Sequence, residues 1–149
     1  MSQAITLQLY LQQPLQYSRL VELPFTSSAE AFDHLLQLFD TLPIGSDGCL
    51  VCDAVMNDDV CLVNYREGGY SLAQEDSTAV IEIIPGTYMF QQLQFPPTSG
   101  KQLLPQLSRF ALSLDYSDKS TYTIYVRIYK EKQFETAIQF ISPSQTKEV

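Results

Sequence analysis

The chain has 149 residues and a mass of 16.9 kDa, which fits one domain with a core of its own. Apolar residues make up 45% and charged residues 17%, a balance that excludes a disordered, collagen-like or low-complexity chain. Nine basic against 17 acidic residues leave a net charge of −8 without a Lys/Arg cluster, so nucleic acid and anionic membrane are excluded as partners, and cationic or neutral partners are favoured.

The first residues, MSQAITLQLYLQQ, lack the basic region and the uninterrupted apolar region of a signal peptide. No apolar run in the sequence approaches the ~20 residues of a membrane span. The three cysteines, Cys49, Cys52 and Cys61, are an odd number, which favours reduced thiols over a disulfide framework. We therefore expect a cytoplasmic protein.

In the first half, alternating apolar residues predict strands on either side of Pro14, over residues 5–11 and 17–23. A helix is predicted over residues 29–42, with Ser27 and Glu30 as a capping box and Pro43 as its end. Its buried stripe is expected to consist of Phe32, Leu35, Leu36, Phe39 and Leu42.

The chain then continues as two strands, residues 49–56 and 60–65, which flank a hairpin turn at 57–59. The sequence Arg66-Glu67-Gly68-Gly69 predicts a further turn, and the polar residues 73–77 separate two halves.

The second half repeats the pattern. Strands are predicted over residues 79–84, 87–95, 121–130 and 134–141, and a helix over residues 102–114 whose regular part begins near Pro105. We expect one domain over residues 1–141, with halves of about 1–72 and 73–141, and a frayed tail over 142–149.

A shift of 72 residues superimposes the two halves. It places Leu35 on Leu107 in the helices and Cys52 on Ile124 in the strands that follow. The predicted fold is α+β: two pseudo-symmetric strand-helix-strand-strand units that form an antiparallel sheet with two helices packed on one face. Chance matching of two amphipathic helices is the alternative.

Two segments resemble a known family. The sequence Ile83-Ile84-Pro85-Gly86-Thr87-Tyr88 enters the second half, and Tyr122-Thr123-Ile124-Tyr125 follows the second helix. With the repeated strand-helix-strand-strand order, they resemble the GyrI-like (gyrase-inhibitor-like) effector-binding domains, which implies a small-molecule site.

The sequence departs from that family at one position. Family members that bind lipophilic cations carry a carboxylate where this chain has Thr123, although Tyr125 is kept. Neither cation binding nor the hydrolase activity of some relatives is therefore carried over, and Asp53 is the candidate replacement for the missing charge.

Strand alternation predicts a ligand-binding groove. In the strand over residues 121–130, alternate residues from Tyr122 to Ile128 pack under a helix, and the opposite face carries amphipathic groups. The corresponding strand of the first half contributes the face that bears Cys49 and Val55. The predicted ligand-binding residues are Val51, Asp53, Thr123, Tyr125, Arg127 and Tyr129. The alternative is an ordinary solvated sheet face.

Other chemistry is weakly represented. Cys49 and Cys52 lie three apart in a strand and point to opposite faces, so we expect Cys52 in the core and Cys49 semi-exposed rather than a metal or redox pair. His34 is expected on the outer face of its helix. Asp58 and Asp59 are typical of a turn and lack the spacing of a calcium loop. We therefore predict no catalytic residues, no metal site and no cofactor.

The preferred hypothesis is a non-catalytic GyrI-like domain that holds a small amphipathic organic ligand between its halves. The alternative is an acidic module that binds or neutralises a basic protein partner, motivated by the charge of −8. An enzyme is the third and least favoured hypothesis, because no nucleophile and base can be paired from these residues. The ligand, the partner and the oligomeric state stay open.

Overall fold

The structure is a computed structural model that describes residues 7–17, 19–20, 27–57, 60–71, 81–93, 97–114, 121–132 and 135–143. Within these residues the first half contains β1 (Leu7–Leu11), β2 (Leu15–Tyr17), β3 (Arg19–Leu20), α1 (Ser28–Thr41), β4 (Asp47–Asn57) and β5 (Val60–Ser71). The second half contains β6 (Ile81–Ile83), β7 (Gly86–Gln92), α2 (Gly100–Ser113), β8 (Thr121–Lys132) and β9 (Glu135–Pro143).

Seven of the strands form one sheet in the order β1-β7-β9-β8-β4-β5-β3. Every neighbouring pair is antiparallel, and the long strands β4 and β8 meet at the centre. The two remaining strands, β2 and β6, pair antiparallel in a separate small sheet. The predicted α+β class, with an antiparallel sheet and two helices, is confirmed.

Both helices begin at a serine cap. The Ser27 side chain accepts a hydrogen bond from the Glu30 backbone N–H, as predicted, and the Ser99 side chain accepts one from Gln102. α2 therefore starts at Gly100, and the predicted start near Pro105 is wrong: the cap at Ser99 fixes the first turn, and the exposed Pro105 lies in the second. Neither helix is long and apolar enough to cross a bilayer.

The main core lies between the helices and one face of the sheet, here called the helix face. Phe32, Leu35 and Phe39 of α1 and Leu103, Leu107 and Phe110 of α2 are buried in one cluster with this face. Its sheet residues are Leu50, Cys52 and Ala54 of β4, Tyr122, Ile124, Val126 and Ile128 of β8, and Ile138 and Phe140 of β9. The predicted inward residues of the strand over 121–130 are confirmed.

The opposite face of the large sheet, here called the distal face, is partly covered by the small sheet. Tyr17 of β2 and Ile81 and Ile83 of β6 form a second buried cluster with Cys49 and Val51. The other buried members are Tyr88 and Ile141, and Leu11, Leu15, Phe90 and Tyr125 pack at its margin. Because the small sheet covers part of it, the distal face is not the ordinary solvated sheet face that was the alternative prediction.

The predicted boundaries that differ from the structure include the turn at Gly68 and Gly69 and the end of the last strand. Gly68 and Gly69 do not form a turn, because both are buried inside the continuous strand β5. A Cβ added at Gly68 would lie 3.1 Å from Cδ2 of Leu50, so the close packing there favours glycine. β9 continues two residues past the predicted end, to Pro143, and the Ser142 hydroxyl donates to the Thr123 carbonyl at 2.7 Å. The predicted turn residues Asp58 and Asp59 and the remaining tail lie outside the described residues.

Candidate functional site

The predicted ligand-binding residues lie in directly opposed pairs on β4 and β8. Asp53 faces Thr123 and Val51 faces Tyr125. Further along the same ladder, Arg127 faces Cys49 and Tyr129 faces Asp47. Paired residues of adjacent antiparallel strands share a face. All six predicted residues are therefore on the distal face, although they do not have the same exposure.

The centre of this row is apolar. Val51 is buried beneath the small sheet, and the Tyr125 ring lies half-buried at the margin of the same cluster. Burial is the largest cause of the raised pKa of Tyr125. Its phenol therefore stays neutral at physiological pH, and its ring offers an aromatic surface where the second layer ends.

A β-bulge places a charged side chain beside Tyr125. The β4–β5 pairing passes from Val51–Glu67 to Cys52–Tyr65, so Arg66 is an extra residue. Arg66 lies on the distal face: its Nε donates to Asp53 Oδ2 at 3.1 Å, Nη2 donates to Asp53 Oδ1, and Nη2 donates to Thr123 Oγ1 at 3.3 Å. Asp53 is thus held by Arg66, a residue of the first half, and not by Arg127.

Glu67 is the second carboxylate at this site. It faces Val51 from β5, so Tyr125, Val51 and Glu67 form one row across three strands. Its side chain is half-buried, and its negative charge contributes, after burial, to the raised pKa of Tyr125 and Cys49. Among the described residues, none hydrogen-bonds to the Glu67 carboxylate or lies within ion-pair distance of it.

Arg127 belongs to a separate network further along the β4–β8 ladder, next to the pair of Asp47 and Tyr129. Its Nε and Nη2 donate to Asp47 Oδ2 at 2.9 and 2.8 Å, and its Nη1 donates to Gln139 Oε1 at 3.2 Å. The Tyr17 hydroxyl donates to Asp47 Oδ1 at 3.3 Å, and the Arg127 guanidinium lies 5.6 Å from the Tyr129 ring centroid. This ion pair fixes the small sheet on the large one through Tyr17.

Asp47 gives this network a measurable pH dependence. Burial raises the pKa of Asp47, and its bonds with Arg127 limit the rise, so the folded protein holds a proton on this carboxyl more tightly than the unfolded chain. The contribution of Asp47 to the free energy of unfolding is therefore largest below the ordinary carboxyl pKa and is lost as the pH rises through the raised value.

We expect the free energy of unfolding of the wild type, minus that of Asp47→Asn, to fall as the pH rises from about 3.5 to about 7. Urea unfolding of both proteins across this range measures the difference, and carboxyls common to both cancel. A difference that grows with pH would mean that Arg127 outweighs burial, contrary to this account.

Two of the cysteines lie apart from the exposed part of the candidate site. Cys49 and Cys52 are free, and they belong to the buried clusters on opposite faces of β4. Cys52 is in the core, as expected. The predicted partial exposure of Cys49 is wrong, because the small sheet covers this residue. Burial is the main cause of a raised pKa in both thiols, to about 11 for Cys52, so both stay protonated at neutral pH.

The described part of the chain contains no group of side chains suited to bind a metal ion, since no cluster of three His, Cys, Asp or Glu side chains there is arranged to hold one. His34 is exposed on α1, as predicted. The distal face combines an aromatic surface at Tyr125 with charged groups at its side.

Arg66 and Glu67 were not among the predicted ligand-binding residues. Both fell in the segment interpreted as a turn because of Gly68 and Gly69, and alternation alone cannot place the extra residue of a bulge. Comparison with known proteins adds no further guide: no family model, no curated protein and no solved structure matches this chain.

Proposed function

We propose that this chain is a non-catalytic binding domain of the GyrI-like kind, and that it holds a small amphipathic organic cation on the distal face beside Tyr125. The observation that carries the proposal is the row of Glu67, Val51 and Tyr125: a carboxylate without an ion-pair or hydrogen-bond partner among the described residues lies across the buried Val51 from an aromatic ring. The proposed setting is the cytoplasm, where thiols are kept reduced.

The charges of the site favour a cation. Asp53 and Glu67 carry two negative charges and Arg66 carries one positive charge, which leaves −1 beside Tyr125. Arg127 adds nothing to this balance, because Asp47 neutralises it. An organic cation would place its charge at Glu67 and its apolar part against the Tyr125 ring, where stacking and apolar burial add to the ion pair. Glu67 and Asp53 would replace the carboxylate that the family carries where this chain has Thr123.

The proposed site lies where two pseudo-symmetric units would meet. The helices support such units: both have 14 residues, they are 72 positions apart, and each has a serine cap. The central strands support them too. A twofold axis that relates residues 72 positions apart must pass through a pair separated by 72, and the observed ladder contains that pair, Cys52–Ile124. The strand order β7-β9-β8 followed by β4-β5-β3 fits the same axis.

Thermal unfolding against a panel of lipophilic cations, neutral aromatics and anionic aromatics tests the proposal. A ligand that binds only the folded state raises the unfolding midpoint with its concentration. We expect saturable stabilisation by members of the cationic class. Stabilisation by anionic aromatics alone, or by no compound at all, would oppose the proposal.

Substitutions at the row separate charge recognition from stacking. We expect Glu67→Gln and Tyr125→Ala each to weaken binding of a cationic hit by about tenfold, while Tyr125→Phe keeps most of the affinity because the ring remains. Calorimetric titration measures the affinities. Glu131→Gln, an exposed carboxylate at the end of β8, is the matched control and should leave the affinity unchanged. Equal losses of affinity in Glu67→Gln and Glu131→Gln would mean that the net charge of the protein, and not an ion pair at Glu67, attracts the cation.

An acidic interaction module for a basic protein is the second proposal. Its support is the outer side of α1, where Glu30 and Asp40 are exposed and the last turn carries no basic residue. This function predicts salt-sensitive capture of a basic protein that Glu30→Gln/Asp40→Asn weakens and Glu67→Gln does not. The opposite pattern, in which only Glu67→Gln weakens binding, would assign recognition to the distal face.

A further inference from the structure

One of the two edge strands of the large sheet, β1, contains no charged residue. β1 pairs with β7 on one side, and within the described residues no strand pairs with its other side. The first charged residue of the sequence is Arg19, so a chain with a net charge of −8 presents a neutral segment at this edge. Two copies can approach here without the repulsion that their acidic surfaces impose elsewhere.

β1 also lacks the features that protect sheet edges. Edge strands of monomeric proteins are usually short, or carry charges, prolines or bulges that prevent pairing with another chain. The five residues of β1 contain no charge and no proline, and their register with β7 has no bulge. Leu7 and Tyr10 are 55% and 65% exposed, so apolar side chains lie on both sides of this strand.

We infer that β1 is a self-association edge, at which a second copy of this chain pairs antiparallel with the first and extends the sheet across a twofold axis. Such an axis stands perpendicular to the sheet and keeps the helix faces of both copies on the same side. Because facing residues must then share a face, the pairing centres on a residue of β1. Centred on Leu9, it pairs Leu7 with Leu11 and Gln8 with Tyr10 of the second copy.

This register is complementary in chemistry as well as in geometry. Leu11 packs at the margin of the distal cluster, so the alternate residues Leu7 and Leu9 share its face. The pairing would therefore join the leucines of two copies into one apolar row that continues the distal cluster, while Gln8 and Tyr10 meet on the other face. The partner of stated chemistry is a second copy, and the interface would be isologous.

Sedimentation equilibrium across a range of protein concentrations tests the inference. We expect a monomer–dimer equilibrium in the wild type and a monomer in Gln8→Lys/Tyr10→Lys, because the pairing brings the new lysines of two copies face to face. Ile44→Lys is the matched control: Ile44 is also exposed, at 57%, but lies after α1, and this variant should dimerise like the wild type. A wild type that stays monomeric throughout, or a dimer that persists in the double variant, would overturn the inference.

Cross-linking provides a second readout that does not depend on the lysine variants. At the proposed axis residue 9 faces itself, so we expect Leu9→Cys to form a covalent dimer under mild oxidation, and Leu112→Cys, on the exposed side of α2, to remain monomeric. The wild type measures any background from its own cysteines. Equal cross-linking of the two variants would contradict a specific edge.

Discussion

Replacing Lys130 with methionine is expected to lower the free energy of unfolding by about 3 kcal/mol. Lys130 is 3% exposed at the end of β8, and its Nζ donates to the carbonyls of Phe39, Leu42 and Asp40 at 2.7, 2.6 and 3.4 Å. The last turn of α1 has no basic residue of its own. Lys130 therefore satisfies the helix's terminal carbonyls from another element, and methionine would fill its space without donating a hydrogen bond.

Urea unfolding of Lys130→Met and of Lys101→Met measures this effect. Lys101 is exposed on α2, so its substitution should change stability by less than about 0.5 kcal/mol. A similarly small change in Lys130→Met would show that water, rather than this ammonium, satisfies the end of α1.

Replacing Gly100 with alanine is expected to lower the free energy of unfolding by about 3 kcal/mol, because the new side chain forces the starts of the two helices apart. A Cβ at this position would lie 2.2 Å from the Ala29 carbonyl oxygen and 2.5 Å from its Cα, and these are backbone atoms that cannot turn aside. The Gly100 N–H also donates to Asp33 Oδ1 at 2.7 Å, so α1 supplies part of the cap of α2. The substitution disrupts the contact and the cap together.

Chemical denaturation of Gly100→Ala and of the control Lys101→Ala measures the loss of stability, since both substitutions place an alanine in the first turn of α2. Lys101→Ala should have wild-type stability to within about 0.5 kcal/mol. If Gly100→Ala were equally neutral, the close approach of the two helices would not be required for the fold.

Local patterns were sufficient to predict most elements. The stripe from Phe32 to Phe39 placed α1 within one residue of its observed bounds, because helical spacing and a serine cap are local signals. Alternation likewise assigned the two faces of β8 correctly. The pair Cys52–Ile124, found by superimposing the halves, lies opposite each other in the central ladder.

Features that depend on contacts between distant segments were not predictable. The bulge at Arg66 depends on how β5 meets β4, and the sequence of β5 alone indicated a turn. The short strands β2 and β6 become a second layer only through contacts with residues of β4 and β9. For the same reason Lys130, which alternation placed simply at a strand end, was not recognised as the cap of a helix whose last turn precedes it by about ninety positions.

The candidate site changed accordingly. Tyr125, Thr123 and Asp53 lie together as sequence analysis proposed, whereas Arg127 is taken up by Asp47. Two further residues of the candidate site, Arg66 and Glu67, lie in β5, whose predicted strand ended at residue 65. With these residues included, the proposed ligand changes from a generally amphipathic molecule to an amphipathic cation.

The most direct test of this account is a titration of the isotope-labelled protein with a cationic aromatic compound, followed by amide and side-chain NMR shifts. We predict that the saturating shifts include Val51, Glu67 and Tyr125, and that Glu67→Gln moves the titration to higher ligand concentration. Saturating shifts confined to the outer side of α1, with the row on the distal face unaffected, would contradict the proposed function.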